Sequence, residues 1–285
     1  MSEPTRTEPA PPLRLAIVGT GLMGTSIGLA LQNVVPAHSI VGWDPDAKSL
    51  AHAFQRGAIH RTATGLADAA ANADLVVIAA PVDHVAAVAS DVQHAAPGHC
   101  VVTDIASTKQ RIVRECEAIL DGRFVGGHPM AGGELAGPQY ARADMLKDAP
   151  WVLTPTAQTS PRALATVEAL IRAVGARPVR MVPDEHDRAA AFLSHLPHVM
   201  AFALFAVSAS NLSPDELRLA AGSFRSATRV AGADPHAWAS ILADNADYAL
   251  EAIELLLGRL TAVRTALRAA DRAALGHLLE EGRTR

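Results

Sequence analysis

Two short stretches carry residue types that could do chemistry, at spacings that would let them do it. The first is Gly19-Thr20-Gly21-Leu22-Met23-Gly24, which follows the apolar, β-branched run Leu13–Val18. A strand that runs through Gly-x-Gly-x-x-Gly into a helix makes a cradle for a pyrophosphate. Gly19 permits the tight turn, Gly21 lets the backbone approach the phosphates, and Gly24 lets helix and strand pack closely. The helix N-terminus adds free N–H groups and the positive end of its dipole. Asp44 ends a second candidate strand, Ser39–Trp43, twenty residues beyond Gly24. A carboxylate at that spacing accepts hydrogen bonds from a ribose 2′-OH and repels a 2′-phosphate, which points to NAD over NADP. The second stretch is Gly126-Gly127-His128-Pro129, where His128 stands just past the candidate strand Phe124–Gly126. An imidazole placed there, on the ligand side of a dinucleotide fold, could polarise a substrate hydroxyl. It could also take the hydroxyl proton as hydride leaves the same carbon.

The elements needed to hold these groups are legible in the chain. Short apolar runs alternate with helical patterns from Leu13 to about Met181, which implies a mostly parallel, doubly wound α/β domain of the Rossmann type over 13–182. In such sheets the ligand sits beyond the carboxyl ends of the strands. The segments that follow strands therefore matter most: Ala80-Pro81, Asp104–Lys109 and Gly127–Gly132. From Pro183 onward the strand signal stops and Ala/Leu-rich helical periodicity takes over, an all-α domain over 183–285. Its first helix carries Ser194-His195-Leu196-Pro197-His198, and Pro197 is expected to kink it. Further helices are expected near Pro214–Ala221, Pro235–Leu257 and Leu260–Glu281. The apolar surface of this domain favours a homodimer.

Composition narrows the function classes. A chain of 285 residues with 49% hydrophobic and 19% charged residues can build two domains with sizeable cores. A net charge of −4 argues against a nucleic-acid partner. Cys100 and Cys116 match no metal or disulfide spacing. Residues 1–12 are polar and proline-rich, and read as a disordered tail rather than a signal peptide. The longest apolar run, near Val199–Val207, falls short of the ~20 residues of a membrane span. No membrane association is expected, and the setting is cytoplasmic.

At this level the chain resembles the prephenate, or cyclohexadienyl, dehydrogenases of tyrosine biosynthesis. The resemblance rests on the fingerprint with Asp44, on Ala79-Ala80-Pro81, on Asp104–Lys109, and on Gly126–Gly132 with Glu134 and Gly137-Pro138. Ser194–His198, Phe224–Arg229, Asp234-Pro235 and Trp238 complete it, so it covers nearly everything from Leu13 to about Tyr248. It implies NAD-dependent oxidative decarboxylation of prephenate to 4-hydroxyphenylpyruvate, with hydride leaving ring C4 and His128 accepting the hydroxyl proton. Ser107 matches a hydroxyl that orients substrate, His128 and nicotinamide; the plainer alternative is a helix N-cap. Arg229 matches a carboxylate-binding arginine, against an ordinary surface arginine. His198 matches a substrate-binding histidine, with His195 three residues earlier either in contact or in support. Glu134 and Trp238 match pocket-lining positions, against a helix-start acid and a core tryptophan. Leu22, Met23, Ala80 and Pro81 join Gly19, Gly21, Gly24, Asp44 and Ser107 on the cofactor side. The remaining histidines, His38 and His186 among them, are expected at surface or supporting positions, and no metal is expected. Gly133 and Ser226 depart from the common pattern, which bears on specificity.

Three alternatives stay open. Arogenate shares the ring chemistry and differs in carrying an amino-acid side chain, and a dual-specificity enzyme would accept both. A β-hydroxyacid dehydrogenase or imine reductase shares the two-domain plan, but the former would place a catalytic lysine in the helical domain. The last lysine here is Lys147. A non-catalytic NAD sensor would need the fingerprint but not His128, Ser107 and Arg229 together.

Overall fold

The computed structural model describes residues 14–32, 34 and 39–283. The tail expected over 1–12, Leu13 and His38 lie outside the described residues. One eight-stranded sheet organises the first half: β1 (Leu15–Val18), β2 (Ile40–Trp43), β3 (Arg61–Thr62), β4 (Leu75–Ile78), β5 (Val101–Asp104), β6 (Phe124–Pro129), β7 (Pro150–Thr154) and β8 (Arg177–Arg180). Its order is β3-β2-β1-β4-β5-β6-β7-β8, parallel throughout except for the antiparallel pair β6–β7. The chain reverses its direction of growth between β1 and β4, so a crevice opens at their carboxyl ends.

Burial on both faces explains the continuous apolar runs. In β1, Leu15 and Ile17 enter one core layer with α1 (Leu22–Leu31), α2 (Ala47–Gln55) and α6 (Pro161–Ala173). Ala16 and Val18 enter the opposite layer with α3 (Leu66–Ala70), α4 (Val85–Ala95) and α5 (Gln110–Leu120). Each fully buried aliphatic side chain of this kind contributes roughly 1.5–3 kcal/mol. At the crevice, Gly19 adopts φ +101°, which L side chains rarely take. A Cβ on Gly24 would run into the Gly19 carbonyl.

The helical half comprises α7 (Pro183–Ala190), α8 (Leu196–Asn211), α9 (Pro214–Leu217), α10 (Gly222–Thr228), α11 (Pro235–Asp244), α12 (Ala246–Arg268) and α13 (Arg272–Glu281). Between α7 and α8 lies a π turn over Ala191–His195, so that 29 residues, Pro183–Asn211, form one continuous helix. By length and composition this helix could cross a membrane, unlike the short apolar run read from the sequence. Its buried residues His186, Asp187 and His195 instead pack into the site described below.

One strand escapes the sequence reading, and four expectations are corrected. The edge strand β3 has two exposed residues and no apolar alternation to betray it. His128 lies within β6, paired with Val152, rather than past the strand end. The helix expected over Pro235–Leu257 breaks at Asn245, whose buried side chain makes tertiary hydrogen bonds. Gly258, in turn, does not end a helix; α12 runs through it. Pro197 is accommodated by the π turn before it, where the Leu196 N–H reaches the Ala191 carbonyl.

Candidate active site

The crevice is a cavity of about 690 Å³ lined by Gly19, Gly21, Leu22, Met23, Gly24, Asp44, Ala80, Pro81 and Ser107. These are the cofactor-side residues expected from the sequence, brought to one place. Helix α1 starts on Gly21 with no side-chain cap and no acid in its first turn, an anion-ready N-terminus. Asp44 Oδ2 accepts from the Thr20 N–H (2.6 Å) and Oδ1 from the Asp46 N–H (2.8 Å), which fixes the carboxylate at the cavity edge. Apart from its chain neighbours, no atom of the described residues lies within 4 Å of where a Cβ on Gly21 would stand, so the space there is open. The residues present fit a dinucleotide.

That geometry separates two glycines. Gly21→Ala is expected to keep the parent's Tm and to weaken NAD+ binding by about tenfold or more, because the methyl enters the phosphate space. Gly24→Ala is expected to cost about 1–3 kcal/mol of stability, since the methyl meets backbone that cannot move aside. Thermal melts and NAD+ titrations on both variants check this. Equal NAD+ affinity in Gly21→Ala would take the phosphates away from this loop.

Ser107 is not a helix cap. Helix α5 starts at Gln110 with Lys109 as its cap residue. Its first N–H groups are taken by Asp187 from the helical half: Lys109 N–H to Oδ1 (2.7 Å) and Gln110 N–H to Oδ2 (2.8 Å). Ser107 is left half-buried on the cavity wall.

His128 is buried, and its Nδ1 lies 2.8 Å from His186 Nε2. His186 Nδ1 lies 2.7 Å from Asp187 Oδ1. Burial holds His128 well below the usual imidazole pKa, and the neighbouring His186, Lys109 and His195 act in the same direction. Beneath it, the fully buried Lys109 ammonium pairs with Asp104 and donates to the Gly127 carbonyl (2.8 Å). Asp104 also accepts the Gly127 N–H (3.0 Å), so the backbone next to His128 is tied to β5 from both sides. His186 was expected at a surface or supporting position; it is buried and in direct contact with His128.

Of the residues expected on the substrate side, His195, His198, Arg229 and Trp238 lie on the helical half and Glu134 faces them from the sheet half. His198 stacks on Trp238 with centroids 3.6 Å apart, and His195 meets Trp238 edge-on at 5.9 Å. The His198 Nδ1–H donates to the Ser194 carbonyl (2.8 Å), so the neutral ring offers an acceptor, not a donor, at Nε2. Burial lowers its pKa, the Ser194 carbonyl opposes that shift, and Arg229 adds to it. Arg229 itself pairs with Glu134. No helix starts at Glu134; it stands on an irregular segment whose far end Arg56 holds by the Pro138 and Ala141 carbonyls. Gly133, one of the departures, is close to the cofactor helix: a Cβ there would stand 3.3 Å from Leu22 Cδ2.

Helix α11 joins the two sides. Ala237, Ser240 and Ile241 line the cavity, while Trp238 faces His198 and His195. Ser240 bonds to Asp83, and Asp244 receives both Thr108 and Arg111 from the start of α5. Sequence reading missed His186, Asp187, Asn245 and this clasp. The adjacent pair His186-Asp187 was the available signal.

Burial of neutral histidines makes stability depend on pH. Burial pushes His195 down from 6.5 to about 4, with Asp187 opposing and His186 and His198 adding to the shift. Below pH 6.5 the unfolded chain takes up a proton that the fold refuses, so stability falls as pH drops from 6.5 towards 4. For His195 alone the loss is about 3 kcal/mol across that window. Urea midpoints at pH 7 and 4.5 should differ less in His195→Gln than in the parent. Equal differences would mean that His195 is charged in the fold.

Family models and the more similar known proteins point to one family. Residues 27–180 match the family described as prephenate dehydrogenase, nucleotide-binding domain, and residues 182–281 match prephenate dehydrogenase, dimerization domain. The prephenate dehydrogenase of Bacillus subtilis is 33% identical over 256 residues, covering 88% of this chain and 69% of that protein. The structure of Aquifex aeolicus prephenate dehydrogenase in complex with hydroxyphenyl propionate and NAD+ superposes with a TM-score of 0.86 at 30% identity, covering 94% of each chain. Synechocystis arogenate dehydrogenase gives 0.76 at 26% identity, covering 94% of this chain and 96% of that one. The chain belongs to the prephenate dehydrogenase family.

Proposed function

We propose that this protein oxidises prephenate with NAD+, releasing CO2 and 4-hydroxyphenylpyruvate. The observation that carries the reading is His128: buried, held through Nδ1, kept neutral, and set on the strand beside the one that leads into the cofactor cavity. NAD+ is the cofactor, and when bound its nicotinamide supplies the acceptor for the C4 hydride. His128 Nε2 takes the proton of the C4 hydroxyl, so that the oxygen becomes a carbonyl as the hydride leaves. Ser107 orients that hydroxyl. Loss of the ring carboxylate as CO2 returns its electron pair to the ring, and the C4 oxygen takes up a proton to become the phenol. Arg229 holds the side-chain carboxylate through its planar fork once Glu134 is displaced. Trp238 and His198 wall the ring.

A second reading, turnover of arogenate, is favoured by one feature. Because His198 gives its Nδ1–H to Ser194, its Nε2 accepts, and an acceptor suits an ammonium-bearing side chain. The deciding experiment is NADH formation at about 340 nm with prephenate and arogenate in parallel, followed from pH 6 to 9. Turnover on prephenate supports the first reading, a higher kcat/KM for arogenate the second. Silence on both with NAD+ bound would leave the sensor alternative.

We also assign a homodimer through the helical half. Leu193, Met200, Leu204, Phe205 and Val207 on the long helix and Leu250, Leu255 and Leu257 on α12 are exposed in the single chain, more apolar surface than scattered residues explain. Cys100 and Cys116 are free and buried, as suits a reducing cytoplasm.

A further inference from the structure

We propose that Asp187 and Asn245 fix the two buried histidines His128 and His195 in opposite tautomers, one a base and the other a neutral donor toward the substrate. The inference rests on the reading above for what the substrate is, but not for the hydrogen-bond assignment itself.

The first branch starts at the Asp187 carboxylate, which only accepts. Its Oδ1 takes the Lys109 N–H and lies 2.7 Å from His186 Nδ1, so His186 carries its hydrogen on Nδ1. A neutral ring then presents a lone pair at Nε2. That lone pair faces His128 Nδ1 at 2.8 Å, and His128 must donate. Nε2 of His128 is thereby the unprotonated nitrogen, the state a general base needs.

The second branch starts at the Asp187 backbone carbonyl, which accepts from Asn245 Nδ2 at 2.8 Å. This contact fixes which end of the amide is nitrogen. The same Nδ2 lies 3.2 Å from His195 Nδ1, which accepts its second hydrogen. His195 therefore carries its own hydrogen on Nε2, and that atom is buried without a hydrogen-bond partner among the described residues. An orphaned buried N–H is costly unless something fills it. The ring stands edge-on to Trp238, inside the substrate-side cluster, so a substrate oxygen is the group that completes it. A neutral donor suits the ring carboxylate in particular. It binds the anion without the strong ground-state stabilisation that a guanidinium would give a group about to leave as CO2.

The π turn makes this pairing of branches possible. In an unbroken α-helix, nine residues at about 100° each would set His195 roughly 180° away from His186. The extra residue of the π turn over Ala191–His195 brings them toward one side. His186, Asp187 and Asn245 are positioning residues in this scheme. Burial lowers the pKa of both rings; His186, Lys109 and His195 push His128 the same way, while for His195 the neighbours His186 and His198 add to the shift and Asp187 opposes it.

Long-range proton–nitrogen NMR of the full chain, labelled with 15N-histidine and recorded without ligand at pH 7.5, reads tautomers directly. The expected result is Nδ1–H for His128 and Nε2–H for His195, with signals assigned through His128→Asn and His195→Gln. Nε2–H at His128, or Nδ1–H at His195, overturns the proposal. Asn245→Asp, whose side chain can only accept, is expected to move the His195 hydrogen to Nδ1 and raise the substrate KM about tenfold with NAD+ affinity unchanged. Asp187→Asn is expected to lower kcat about tenfold or more at unchanged KM, through loss of the His128 tautomer. An Asn245→Asp protein with the His195 hydrogen moved and KM unchanged would overturn the donor role. If the parent tautomers are as expected and neither substrate turns over, the hydrogen-bond assignment holds and the proposed function falls.

Discussion

Replacing His128 by Asn is expected to lower kcat by about 10²–10⁴-fold while leaving NAD+ binding intact. Asparagine keeps a short planar side chain on β6, whose backbone is pinned by Asp104 and Lys109, so the strand has no reason to shift. What it lacks is a basic nitrogen. The hydroxyl proton must then go to water in a cavity that the ring fills, and the barrier rises accordingly. The parent's kcat/KM should fall on the acid side only below the ordinary imidazole value, because burial lowers the His128 pKa. Below that point the base is protonated and the step stops. The variant should lose this acid limb along with the rate. Steady-state kinetics from pH 5 to 8 and NAD+ fluorescence titration measure both. A variant within threefold of the parent, or one with the same acid limb, would move the base elsewhere.

The cofactor half of this site was legible in the chain because backbone geometry wrote it. Gly19, Gly21 and Gly24 are demanded by a positive φ, an open approach and a close contact, and Asp44 by the end of the neighbouring strand. Such requirements act within thirty residues and leave a spacing. The sheet itself was readable for a similar reason, since strands covered on both faces become unbroken apolar runs. Where residues are solvent-exposed at an edge, as in β3, nothing selects that pattern and the strand stays invisible. The substrate half depends on contacts between distant residues. Asp187 caps α5 from 77 or more positions away, and no local pattern encodes that partnership. Asn245 reads as a helix interior until its two tertiary hydrogen bonds are seen. The π turn likewise follows from Pro197 and the packing around His195, not from periodicity. Residue types in this half were found through family resemblance; their hydrogen-bond roles needed coordinates.

Arg229 and Glu134 should respond in opposite directions, and the size of each effect follows from exposure. Their ion pair leaves the arginine side chain 60% and the glutamate 40% exposed. A pair so open to water is worth about 0.2–1 kcal/mol, and salt weakens it further. A substrate carboxylate that meets the guanidinium fork inside a closed site gains about 1.5–3 kcal/mol from a charge-assisted bond, enough to displace Glu134. Arg229→Ala is therefore expected to raise KM for prephenate by about 10–100-fold, with kcat nearly unchanged, because the contact is present in ground state and transition state alike. Glu134→Gln removes only the competitor, so KM should fall, by no more than about fivefold. That gain should fade at high salt, where the parent pair is already weakened. In the double variant the glutamine should confer nothing, since it acts only through Arg229. Initial rates for the parent and three variants at two ionic strengths test this. A lower KM from Glu134→Gln in the Arg229→Ala background would mean that Glu134 acts on the substrate itself.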